Sequence, residues 1–66
     1  MKLKAGDKVI MKLPASRFHG QTFEVVTYNG RHRFVIARTT KRFDDYRKGD
    51  ELRFAGTLLS ALEVVA

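Results

Sequence analysis

Thr22-Phe23-Glu24-Val25-Val26-Thr27-Tyr28-Asn29-Gly30-Arg31-His32-Arg33-Phe34-Val35-Ile36-Ala37 is the stretch on which the fold turns. Two runs dense in β-branched and aromatic residues flank an Asn-Gly pair. Asn-Gly in that setting is the strongest short-range hairpin signal, because a type I′ turn needs positive φ at both central residues. The reading places strands over residues 22–28 and 31–37. A two-residue turn also sets the register, with Tyr28 near Arg31 and Val26 near Arg33.

Toward the N-terminus, Lys8 to Leu13 alternates, with Val9, Met11 and Leu13 on one face and Lys8 and Lys12 on the other. Period two marks a half-buried strand. Pro14 ends it, since it lacks the amide a ladder requires. Residues 15–21 then form a loop holding Arg17, Phe18, His19 and Gly20. Beyond the hairpin, residues 39–50 are polar and turn-rich, a long loop. Alternation returns at Glu51 to Phe54, with Leu52 and Phe54 inward. Residues 57–61 are too few for a stable helix and predict a single 3₁₀ turn, followed by a last strand over 62–65. Gly6-Asp7 and Gly49-Asp50 each precede an alternating run and read as turns entering strands. This order predicts an all-β fold, one domain over residues 1–66, shaped as a small five-stranded SH3-like barrel. Closure would remove open strand edges. It would also gather Val9, Met11, Phe23, Val25, Phe34, Ile36, Leu52, Phe54, Leu62 and Val64 into one core.

Composition narrows the function. Thirteen Lys and Arg stand against seven Asp and Glu, a formal charge of +6 on 66 residues. Such a balance concentrates polyanions around a protein, and nucleic acid is the commonest of them. No apolar run approaches the roughly 20 residues needed to cross a bilayer. The start Met1-Lys2-Leu3-Lys4 leads into a charged strand rather than an apolar leader, so a cytoplasmic address and no membrane partner are expected. With no cysteine, two histidines and no metal-ligand spacing, no metal, cofactor or catalytic apparatus is expected. The protein should work by binding.

From Gly6 to Ile36 the chain resembles the KOW motif of SH3-like translation and transcription proteins. The matching residues are Gly6-Asp7-Lys8-Val9-Ile10, then Arg17-Phe18-His19-Gly20-Gln21-Thr22, then Val25-Val26. The Pro14 to Thr22 stretch is especially similar to an archaeal and eukaryotic large-subunit ribosomal protein family with Arg-Phe-His-Gly-Arg-Thr in this loop. The resemblance implies that the loop and nearby basic residues contact RNA, which favours RNA over DNA. Gln21 stands where that family has Arg, and Phe23 where it has a second glycine; a phenylalanine there is expected to pack inward.

The candidate interface is the basic hairpin and the segment after it. Arg31, His32, Arg33, Arg38, Lys41 and Arg42 lie within twelve residues free of acid, with Phe43 and Tyr46 close behind. Guanidinium groups grip phosphates through paired hydrogen bonds, and aromatic rings stack on unpaired bases. Arg31, Arg33, Arg38, Lys41 and Arg42 are expected to hold phosphates on one cationic face; Arg17, His19, Phe43 and Tyr46 would add shape and stacking. Plainer roles stand beside these. The cations would also serve as a solvated rim, with Asp44 and Asp45 clamping Arg42 or Arg47. Phe18 would plug one end of the barrel, and His19 would hydrogen-bond its own loop. Lys2, Lys4, Lys8 and Lys12 would guard an edge strand. The rival function is a protein-interaction module docking on a larger complex through Leu58-Leu59-Ser60-Ala61-Leu62 and Val65-Ala66.

Overall fold

A computed structural model describes residues 3–65. Its elements are β1 (Lys8–Met11), β2 (Thr22–Asn29), β3 (Phe34–Thr39), β4 (Glu51–Ala55), α1 (Thr57–Ser60) and β5 (Leu62–Val64). The strands form one five-stranded sheet in the order β4-β3-β2-β1-β5, every neighbouring pair antiparallel. The all-β expectation holds. Closure does not: β4 and β5 are the two edges, and no ladder joins them. β5 has only three residues and α1 occupies the connection from β4, so the edges have little length over which to zip. The expected 3₁₀ turn is one turn of α-helix. Ser60 N–H donates to Gly56 O at 3.0 Å and Ala61 N–H to Thr57 O at 3.1 Å, each reaching back four residues.

The hairpin forms, with a different turn and register. Asn29 pairs with Phe34 and Tyr28 with Val35, so the turn occupies residues 30–33, and Tyr28 does not face Arg31. Neither Asn29 nor Gly30 has positive φ; Arg33 does, at 56°. Asn29 acts through its side chain instead, its Oδ1 accepting the His32 N–H at 2.9 Å and fastening a four-residue turn. A bulge between Val25 and Thr27 adjusts the ladder again. Together these shift β3 by an odd number of positions near β1, which exchanges its faces. Val35, Ala37 and Thr39 are therefore buried, and Phe34 and Ile36, expected inside, lie on the outer face.

The core comprises Leu3, Val9, Met11, Phe23, Val25, Val35, Ala37, Phe54, Leu59 and Leu62. Phe23 packs inward as expected. Leu52 is half-buried against the core, and Val64, expected within it, is 54% exposed at the sheet edge.

The expected guarded edge is also corrected. β1 lies between β2 and β5, so Lys8 and Lys12 protect no free edge. Lys8 pairs with Glu24 on the adjacent strand at 3.1 Å. Lys2 and Ala66 lie outside the described residues. The true edges resist pairing through charge, with Glu51 and Arg53 on β4 and Glu63 on β5. Among the described residues, no helix is long and apolar enough to cross a membrane.

The two Gly-Asp sequences build the same turn. Asp7 Oδ2 accepts the Lys4 N–H at 3.1 Å, and Asp50 Oδ2 accepts the Arg47 N–H at 2.9 Å. The Asp7 and Asp50 N–H groups return the bond to the same residues' carbonyls, both at 3.1 Å. Gly6 and Gly49, at φ 92° and 91°, turn the chain where a side chain would be strained. Each turn then clips onto a strand: Gly6 and Asp7 bond Val25, and Gly49 and Asp50 bond Thr39.

Candidate nucleic-acid interface

The predicted residues fall into three places along β3, and their settings differ. At the exit of β3, the β1–β2 loop meets the β3–β4 loop. Phe18 sits half-buried between them, its ring centroid 5.3 Å from Phe54, 5.8 Å from Tyr46 and 6.1 Å from Phe43. Phe43 and Tyr46 form a two-way backbone bridge around a tight turn and lie 5.2 Å apart, ring to ring. These rings close one end of the fold, the plug role for Phe18. Phe43 and Tyr46 belong to the same packing, and both are half-buried.

Arg17 lies over this plug, 5.3 Å from the Tyr46 ring centroid and 5.8 Å from that of Phe18. Its Nη2 meets Asp44 Oδ2 at 3.2 Å. Asp44 thus clamps Arg17, where Arg42 or Arg47 was expected as the partner. His19 accepts the Leu13 N–H on Nδ1 at 3.1 Å, the loop-bonding role. Lys41 and Arg42 are exposed, and among the described residues neither has an ion pair. Thr39 anchors the loop from inside: its buried hydroxyl donates to Arg47 O at 2.5 Å.

Midway, Arg38 projects from the outer face. Cross-strand pairing lines up Lys8, Glu24, Arg38 and Glu51 in one row of alternating charge. Glu24 meets both cations, Lys8 at 3.1 Å and Arg38 at 3.6 Å. Opposite charges directly across strands support the sheet modestly. Lys8, Arg38 and Lys48 line a shallow cleft with Glu24 as its single acid.

At the entry to β3, Arg31, His32 and Arg33 stand exposed on the turn, and no acid pairs with them among the described residues. Arg33 lines a cleft of about 470 Å³ with Tyr28, Gly30, Leu59 and Ser60. Sequence reasoning missed Arg53. It lies across from Ile36, and its guanidinium carbon is 4.7 Å from the Phe34 ring centroid, a cation–π contact on the outer face. Only the corrected register brings these two together, so the sequence carried no signal for it.

The expected cation cluster is thus spread along the length of β3. β3 spans six residues, about 20 Å at roughly 3.3 Å per residue, and separates the tip arginines from Lys41 and Arg42. What results is a line of cations along one strand, neutralised in part at the middle and exit and not at the tip. Among the described residues, no group of three or more His, Asp or Glu side chains is placed to hold a metal ion. The apolar segment after β4 is largely hidden, with Leu59 and Leu62 buried and Leu58 half-buried; Val64 and Val65 stay exposed. No protein family, curated protein or solved structure matches the chain.

Proposed function

We propose that this chain is a non-catalytic nucleic-acid-binding module of KOW-like, SH3-like type, preferring RNA to DNA and acting in the cytoplasm. One observation carries the reading: residues 25–43 contain no acid, and they fold so that unpaired cations occupy both ends of β3. Among the described residues Arg31, Arg33, Lys41 and Arg42 have no ion pair, and Arg38 shares Glu24 with Lys8. A strand edged in this way suits a polyanion lying lengthwise. The strand order β4-β3-β2-β1-β5, with a helical turn before β5, suits a partly open SH3-like barrel and supports the family resemblance. The resemblance in turn supports the preference for RNA.

The test is RNA binding as a function of salt. With four to six phosphates neutralised, the log–log slope should be about −3 to −5. Arg31→Glu with Arg33→Glu should weaken binding by more than about tenfold and flatten the slope by about 2, with folding intact. An affinity indifferent to salt refutes the reading.

One observation favours a second reading. Among the described residues Val64 and Val65, at 54% and 44% exposure, are the large hydrophobic side chains left in water, at the end of edge strand β5 and just after it. A protein partner adding a strand there would cover them. Recovery of a stable partner chain by the doubly reversed variant, without RNA binding by the native protein, would select this reading.

A further inference from the structure

Phe34 and Ile36 are large, half-buried apolar side chains on the outer face near the hairpin end of β3, and neither packs against the core. The ring is not bare: the Arg53 guanidinium lies over it at 4.7 Å. Around the pair, Arg31 and Arg33 precede Phe34 on the same turn, and Ala55 and Asn29 are its cross-strand neighbours. Glu51, across from Arg38, lies two positions from Arg53 on the same face of β4, about 7 Å along the strand, and four positions along β3 from Phe34, about 13 Å. An aromatic ring capped by a planar cation, beside two exposed arginines, has the chemistry of a base-stacking platform.

We infer that Phe34 and Arg53 form a stacking site for an unpaired nucleobase, making single-stranded RNA the ligand rather than a duplex. This deepens the proposed function and rests on it. A base stacks on the exposed side of the Phe34–Arg53 pair, and Arg31 and Arg33 take the adjoining phosphates. A duplex keeps its bases stacked on one another and offers this platform only its backbone.

The experiment measures binding of a labelled ten-nucleotide oligouridine, the same length of oligothymidine, and a blunt RNA duplex. Phe34→Ala should weaken oligouridine binding roughly 5-fold or more, the range of a lost base–aromatic stack, and leave the salt slope unchanged. Phe34→Trp gives a check independent of that variant's folding, because the chain has no other tryptophan. Its emission should be quenched by oligouridine and not by the duplex. Oligothymidine quenching it equally would retain the stacking site and remove the RNA preference. Phe34→Ala within twofold of native, a duplex bound as tightly as oligouridine, or saturable binding without quenching would each overturn the platform while leaving the salt-dependent module standing. Absence of salt-dependent binding by the native protein would overturn both.

Discussion

The two ends of β3 carry similar charge and use it differently. At the exit, Arg17 is held by Asp44 and laid over Tyr46, the loop is clipped by Thr39 and Asp50, and three aromatic rings seal the gap. At the tip, the Asn29–His32 bond fastens the turn, while Arg31 and Arg33 are exposed with no acid paired to them among the described residues. Arg33 even adopts a backbone conformation that costs a non-glycine residue about 1 kcal/mol. The contrast teaches that basic residues near one another in sequence need not share a task. The exit holds Arg17 in its packing and leaves Lys41 and Arg42 exposed, whereas the tip leaves all its cations exposed.

Breaking the exit should cost the most. Phe18→Ala removes contacts to Phe23, Phe43, Tyr46 and Phe54. The loss should be about 3 kcal/mol, lowering the melting temperature by roughly 15 °C. RNA affinity measured well below that transition should change little. A large loss of affinity in folded protein would erase the distinction between the ends.

Asp50→Ala removes the carboxylate that holds the Arg47 amide and should cost about 1 kcal/mol in denaturant unfolding. Asp7→Ala, in the matching turn before β1, should cost a similar amount. Unequal losses would show that the two turns differ in their support. The smallest effect is expected for Asp44→Asn. Both partners of its ion pair are about half exposed, so stability should move by less than about 0.5 kcal/mol. Released from its acid, Arg17 should raise RNA affinity slightly, and a fall in affinity would mean that Asp44 positions Arg17 for the ligand.

Much of the fold was legible in the sequence because strands of period two and turn residues are local signals. All five strands lie where alternation, β-branched density and turn residues placed them, within a few residues. The phase of β3 was not legible. Phe34-Val35-Ile36-Ala37 is apolar on both faces, so alternation says nothing about which side is inner. Turn length decides it, through an Asn29 side-chain bond and a bulge beyond Val25 that no dipeptide rule anticipates. At the candidate site, the cations were visible as residue types. Their neutralisation was not, since Arg17–Asp44 and Lys8–Glu24–Arg38 join segments far apart in the chain. The Phe34–Arg53 contact was hidden for the same reason, and depends on a register read one face over.

The central place of β1 has a kinetic consequence. Its partner on one side is β5, and Val9 meets Val64 across nearly the whole described chain. A hairpin of β2 and β3 assembles from neighbours, whereas this last seam must wait for the entire intervening segment to collapse. During synthesis, the early strand therefore stays half-paired until β5 emerges, a window in which another chain can bind its unsatisfied amides. Leu62→Ala should accordingly hasten unfolding far more than it slows refolding in stopped-flow chevrons; an equal effect on both arms would place the seam early instead.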